Sequence, residues 1–336
     1  MNNLLTGGKK MHKNLVLGVF VAILLFGQLP LMAGAVMDFD GDGKTDLAVN
    51  RSENGKIIWY MLNGTDGFFA QQWGQNISGT IDLQVPEDYD GDHKWDIAIC
   101  RVNFPLQGQM YFYIYYSDSN TYEAIPWGLG QDSLIPQDYD GDGKADIAVT
   151  RGDASGLTWY IRQSRDGLRI ERFGLSGDSP LRGDYDGDGK ADLALYRRDV
   201  QTFRGDYTFY IERSTDGTWI AEQFGYAQAD VAAPGDYDGD GKTDIAVWRG
   251  RTEFGNGVWY WHRSSDGIYA QIKWGTEVPP DYNVQGDYDG DGKTDVAIWR
   301  RGAGSGDQSY YYINKSSGGI LSIPWGLGQD GPARLF

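Results

Sequence analysis

The sequence predicts an all-β fold: a six-bladed β-propeller of four-stranded antiparallel blades, its ring closed by a C-terminal strand that completes the first blade. Three observations predict it. An Asp-rich nonapeptide recurs six times, at steps of 50, 50, 46, 52 and 51 residues. Each copy runs into short apolar and aromatic segments separated by turn signals, with no helical periodicity. The C-terminal run Trp325-Gly326-Leu327-Gly328-Gln329-Asp330 matches Trp127-Gly128-Leu129-Gly130-Gln131-Asp132, which leads directly into an Asp loop. Four extended segments repeating at roughly 50 residues are the signature of propeller blades.

The first element is an export signal. Lys9, Lys10 and Lys13 form a positive n-region, 15–26 is an apolar stretch, and Ala33-Gly34-Ala35 fits small-x-small cleavage. Residues 1–35 are therefore read as a signal peptide and 36–336 as the mature domain. Kept as an anchor, 15–36 would be nearly long enough to span a bilayer, but Gly27, Gln28 and Pro30 weaken it. No later segment is long and apolar enough to cross. A secreted, periplasmic or cell-surface location follows, with no membrane span after cleavage.

Next come the loops. DFDGDGKTD begins at Asp38, DYDGDHKWD at Asp88, DYDGDGKAD at Asp138 and Asp184, and DYDGDGKTD at Asp236 and Asp287. Carboxylates stand at loop positions 1, 3, 5 and 9: Asp38, Asp40, Asp42 and Asp46; Asp88, Asp90, Asp92 and Asp96; Asp138, Asp140, Asp142 and Asp146; Asp184, Asp186, Asp188 and Asp192; Asp236, Asp238, Asp240 and Asp244; Asp287, Asp289, Asp291 and Asp295. Hard cations such as calcium take six to eight oxygens, and a tight loop presents alternate side chains inward. The main-chain carbonyl at position 7 can add another, from Lys44, Lys94, Lys144, Lys190, Lys242 and Lys293. Where an EF-hand would carry Glu, this pattern is apolar (Val49, Ile99, Val149), so the cage is expected to close on the Asp at position 9. The plain alternative is a solvated acidic turn, but six copies in fixed register argue for about six calcium ions. His93 replaces a glycine in the second loop, which is expected to be the weakest site.

Charge agrees. The net charge of −17 becomes −20 without the three signal lysines, and the loops hold 24 of the 47 acidic residues. Such acidity excludes nucleic acid as a natural partner. A 14% aromatic content excludes an acidic disordered chain. The one cysteine, Cys100, lies in an apolar run and reads as a small core residue, so no disulfide staples the fold.

After each loop an apolar strand leads to an arginine. An aromatic strand follows, at 57–62, 110–116, 157–162, 207–212, 257–262 and 309–314. Hairpin turns such as Ser164-Arg165-Asp166-Gly167 come next, then a strand ending in an aromatic-Gly pair at Trp73, Trp127, Phe173, Phe224, Trp274 or Trp325. A last extended segment carries an Asp six residues before the next loop. If the strands flanking a loop pair as a hairpin, this Asp faces the arginine beyond it. The expected pairs are Asp82 with Arg101, Asp132 with Arg151, Asp178 with Arg197, Asp230 with Arg249, Asp281 with Arg300 and, across the ring closure, Asp330 with Arg51. They are read as structural ion pairs, with a sugar-binding polar ring as the alternative.

The Asp loops, the aromatic-Gly pairs and prolines such as that in Ala233-Pro234-Gly235 resemble the FG-GAP or VCBS-type repeat of integrin α-subunit propellers and many bacterial exported proteins. The resemblance covers roughly 36–336. It implies the propeller, calcium and an extracytoplasmic recognition role. Two features depart from it: an arginine stands where the GAP tripeptide would be, and six copies replace the seven of integrins.

Subtracting repeated residues leaves no nucleophile motif and no zinc spacing. The chain is therefore expected not to be an enzyme. The expected function is an extracellular recognition or adhesion module for an unidentified protein or glycan, lectin-like in the latter case. A carbohydrate-active enzyme and a purely structural surface protein are the alternatives. Trp59, Tyr60, Trp159, Tyr160, Trp259, Tyr260 and Trp261 could stack on sugars, but their recurrence favours inter-blade packing. The non-repeated rim loops 101–108, 198–205 and 250–257 are better ligand candidates.

Overall fold

Short runs of alternating apolar residues, each ended by a Gly- or Asp-containing turn, fold here into six antiparallel sheets of four strands. The computed structural model describes residues 35–106, 108–199, 205–250, 255–276 and 281–333. Residues 1–34, which carry nearly all of the segment read above as a signal peptide, lie outside these residues, as do 107, 200–204 and 251–254 of the three rim loops.

The first blade contains β1 (Leu47–Glu53), β2 (Lys56–Asn63) and β3 (Gly67–Gln75). The second is β4 (Thr80–Gln84), β5 (Ile97–Asn103), β6 (Gln109–Tyr115) and β7 (Tyr122–Leu129). The third is β8 (Ser133–Leu134), β9 (Ile147–Asp153), β10 (Gly156–Arg162) and β11 (Leu168–Arg172). The fourth is β12 (Ser179–Leu181), β13 (Leu193–Asp199), β14 (Asp206–Glu212) and β15 (Trp219–Gln223). The fifth is β16 (Asp230–Ala232), β17 (Ile245–Arg249), β18 (Asn256–His262) and β19 (Tyr269–Thr276). The sixth is β20 (Asp281–Asn283), β21 (Val296–Arg300), β22 (Gln308–Asn314) and β23 (Ile320–Leu327). The chain then returns to the first blade as β24 (Gly331–Pro332), which pairs with β1 through Asn50↔Gly331 and Val49↔Pro332.

Burial follows strand rank within a blade. The second strands begin with three or four consecutive buried residues, such as Leu47 to Asn50 in β1, because neighbouring blades cover both faces. Third strands alternate, as in β2 and β14. Outer strands carry exposed apolar residues, among them Phe68, Tyr122, Trp219 and Ile320. Six apolar clusters fill the spaces between blades. In one, Cys100, Met110 and Phe112 of the second blade pack on Leu134, Ile147 and Val149 of the third. In another, Trp299 and Ile313 of the sixth blade pack on Leu47 and Val49 of the first, so apolar contact continues through the closure.

The aromatic-Gly pairs fasten one blade to the next. The indole N–H of Trp73 donates to the carbonyl of Tyr113 in the following blade at 3.0 Å, and Trp127, Trp274 and Trp325 donate likewise to Tyr160, Tyr312 and Tyr60. The glycine after each aromatic residue has positive φ, from 77° at Gly128 to 109° at Gly74, which admits the bend without strain. Trp59, Trp159 and Trp259 are at most 1% exposed. Their faces are core, not a sugar platform.

Candidate metal centres

The six Asp loops form an uninterrupted circle. The backbone N–H at loop position 8 donates to the carbonyl of position 1 in the preceding loop: Trp95 to Asp38, Ala145 to Asp88, Ala191 to Asp138, Thr243 to Asp184 and Thr294 to Asp236, all at 2.6–2.7 Å. Thr45 donates to Asp287 at 2.6 Å and closes the circle. The position-7 lysines reinforce it. Lys94 lies across Gly41 of the preceding loop, where a Cβ would approach its Cγ to 3.1 Å. The same relation links Lys144 to Gly91, Lys190 to Gly141, Lys242 to Gly187, Lys293 to Gly239 and Lys44 to Gly290. A side chain at that glycine would displace the lysine.

Within a loop the four carboxylates have distinct duties. The position-1 Asp accepts backbone N–H groups with both oxygens, as Asp38 does from Gly41 at 2.7 Å and Gly43 at 2.8 Å. The position-9 Asp is buried in every loop. One of its oxygens accepts the N–H of position 2, as in Phe39 to Asp46 at 2.7 Å. The other accepts an N–H from the hairpin turn between the two outer strands, as in Ser164 to Asp146 at 2.7 Å and Ser316 to Asp295 at 2.6 Å. Position 5 accepts the lysine N–H and a turn hydroxyl, as Asp142 does from Lys144 and Ser164.

Position 3 is different. One oxygen of Asp140 accepts turn N–H groups from Arg165 and Asp166, while the other is buried without a hydrogen-bond partner. Asp186, Asp238 and Asp289 each leave an equivalent oxygen unpartnered. At Asp140 the Arg165 guanidinium lies 3.8 Å from that oxygen, and a buried carboxylate oxygen without a hydrogen bond at the same position of four loops is what a cation site requires of its donor set.

Oxygens converge as well. In the second to fifth loops the carboxylates of positions 1, 3 and 9 (Asp88, Asp90 and Asp96, for example) bring one oxygen each within 4.8 Å of one another. In the first loop the trio is Asp38, Asp40 and Asp42. There Asp42 of position 5 takes the place of the position-9 carboxylate in the trio, while it still accepts the Lys44 N–H at 2.9 Å and the Thr65 hydroxyl at 3.4 Å. The carboxylates press on each other electrostatically. Burial, aided by neighbouring carboxylates, pushes Asp46, Asp96 and Asp146 up to about 7, and Asp192, Asp244 and Asp295 up to about 6. A divalent cation would supply the missing counter-charge. The donor set, all carboxylate and carbonyl oxygen, fits calcium or magnesium rather than a soft metal.

The second loop departs from the others in two ways. His93 adopts φ 68°, a conformation that glycine tolerates and histidine does not favour. Burial and the Asp92 charge push Asp90 up to about 6.

Turn hydroxyls were not singled out by sequence, yet Ser117, Ser164, Ser214, Ser264 and Ser316 all donate to loop carboxylates. Their signal was a hydroxyl residue recurring in each hairpin turn.

On the strands beyond the loops, each Asp–Arg pair is joined by two hydrogen bonds. Arg101 Nε and Nη2 donate to Asp82 at 2.7 Å each, and Arg151–Asp132 and Arg197–Asp178 repeat those distances. Arg249–Asp230 and Arg300–Asp281 lie at 2.6–2.9 Å. Each carboxylate also accepts an N–H just after the aromatic-Gly pair, as from Gln75 to Asp82 at 2.6 Å. Each guanidinium lies over a tyrosine of the adjacent strand, 4.4–4.8 Å from the ring centre, Arg51 on Tyr60 and Arg101 on Tyr113 among them. The pairs are thus built into the blades.

Comparison with known proteins agrees with this architecture. AofleA from Arthrobotrys oligospora superimposes with a TM-score of 0.51 at 14% identity, over 83% of this chain and 81% of that one. A variant of AofleA with three arginines changed to alanine gives 0.46 at 15% identity, over 83% and 82%. No curated protein matches this sequence. The FG-GAP-like repeat pattern matches residues 38–99, 138–195 and 236–298, each span opening at an Asp loop and running through the next loop into the strand beyond it. Those spans make up more than half of the chain, which belongs to the FG-GAP-like repeat family.

Proposed function

We propose that this chain is an exported, calcium-stabilised propeller that acts as an extracellular recognition or adhesion module, with a glycan as its ligand. The observation that carries the reading is the buried carboxylate oxygen without a hydrogen bond, repeated at Asp140, Asp186, Asp238 and Asp289. In each loop the carboxylates at positions 1, 3 and 9 would hold the ion, with position 5 and the position-7 carbonyl completing the set. Bound calcium neutralises their mutual repulsion and joins the loop to its hairpin turn. Six ions would bring the mature charge from −20 to −8.

Loops of this kind suit a compartment where calcium is plentiful. At an affinity near ~0.1 mM and ~1 mM free calcium, each ion adds about 1.4 kcal/mol. Six independent ions add roughly 8 kcal/mol, comparable to the net stability of a whole domain. The repeated charged residues are engaged in the scaffold, so recognition falls to surfaces where the repeat is broken, and no catalytic role is assigned to any residue.

A glycan array probed with the mature, calcium-loaded protein tests the reading. Reproducible hits that disappear in chelator are expected. A blank array, with a protein partner captured instead, would replace the glycan by a protein ligand.

A further inference from the structure

We infer that a polar cavity at the seam of the ring is a binding site for a neutral, polyhydroxylated ligand of about monosaccharide size. The inference rests on the recognition reading above and gives it a location. The cavity has a volume of about 360 Å³ and lies where β24 meets β1 and the first strand of the second blade, β4. That volume falls in the ~300–1,000 Å³ range of small-ligand sites.

The repeat is interrupted at this cavity. On the paired first and second strands of the other blades, corresponding positions carry Leu83 opposite Cys100, Ser133 opposite Thr150, Ser179 opposite Tyr196, Val231 opposite Trp248 and Tyr282 opposite Trp299. At the seam the pair is Gly331 opposite Asn50. Gly331 contributes no side chain, and a Cβ built on it meets no atom within 4 Å.

The wall is chemically suited to hydroxyl groups. Both carboxylates in it, Asp82 and Asp330, are held by Arg101 and Arg51, and each also accepts a backbone N–H. Their charge is therefore matched within the protein. Arg301 donates to the Asp330 carbonyl and lies over the rings of Tyr282 and Trp299. What remains is neutral: the amides Asn50, Gln75, Asn76, Gln84 and Gln329 and the hydroxyls of Ser52 and Thr80, beside the apolar Ile57 and Ile81. Asn50 is 7% exposed, and its amide atoms are buried without a hydrogen-bond partner, so the other amides are the ones a ligand reaches. Amides that both donate and accept, next to an aliphatic surface, match the alternating O–H and C–H faces of a sugar ring.

The test is saturation-transfer NMR on the calcium-loaded mature protein, with the methyl glycosides of glucose, galactose, mannose and fucose as probes. At least one glycoside is expected to receive saturation. Gly331→Leu copies the leucine of the second blade into open space and is expected to weaken that binding about tenfold or more, with the thermal midpoint unchanged. Silence from all four glycosides would overturn the site, and so would a Gly331→Leu protein that binds as the parent does. If the variant keeps its glycan-array hits, the seam cavity fails while glycan recognition stands. A blank array together with silent glycosides removes both.

Discussion

Arg51 and Asp330, 279 residues apart in sequence, are joined by two hydrogen bonds of 2.6 and 3.0 Å, and the Asp330 side chain is fully buried. They occupy the place that Arg101 and Asp82 occupy within the second blade. The same pair therefore serves as a strand fastener in five blades and as the clasp of the whole ring in the first.

Breaking that clasp should be costly. Arg51→Ala leaves a buried carboxylate without its counter-ion, a loss of about 3–5 kcal/mol. Chemical denaturation of the variant should show it, along with cleavage near β24 by a protease that spares the parent protein. A change below ~1 kcal/mol would mean that apolar contacts between Trp299 and Val49 suffice to close the ring.

Calcium removal should lower stability throughout the ring, because each loop gathers four carboxylates around a buried Asp at position 9. Thermal melting in excess chelator against millimolar calcium measures this. The midpoint is expected to fall well below its calcium-loaded value, and an unchanged midpoint would contradict the assignment of the loops as calcium sites.

The loops should not be equal. Asp138→Ala is expected to remove more calcium-dependent stabilisation than Asp88→Ala, because His93 already strains the second loop. His93→Gly should relieve about 1 kcal/mol and tighten that site. Calcium titration of the three variants checks the order. Equal losses from the two alanine substitutions would count against it.

Trp73→Phe offers a milder test. The repeat itself uses Phe173 and Phe224 at this place, so the ring should close normally with one indole–carbonyl bond missing. A loss of about 1 kcal/mol is expected by denaturation. A loss of several would mean that the tryptophan also fills space that phenylalanine cannot.

The fold was legible because repetition multiplies a weak signal. One run such as 57–62 could be a strand or a buried helical turn, but six equivalent runs at matched distances from six Asp loops leave one reading. Register was legible for the same reason: Asp82 lies opposite Arg101, Asp230 opposite Arg249 and Asp281 opposite Arg300. Relationships formed by chain segments folding back were not visible. The turn residue Ser164 reaches Asp142 and Asp146 only because two strands intervene and return it to the loop. The seam cavity escaped notice too, since Asn50 and Gly331 are unremarkable residues until β24 sets them side by side.

The circle of loop-to-loop hydrogen bonds has a thermodynamic consequence. A linear repeat array has end units with one neighbour each, and it frays from those ends. Here every loop donates to one neighbour and accepts from another, with Thr45 to Asp287 supplying the bond that a linear array would lack. The proposed ion sites are thus arranged as a one-dimensional lattice with periodic boundaries. An empty site is bordered by two others wherever it occurs, and vacancies side by side disturb fewer loop junctions than the same number scattered around the circle.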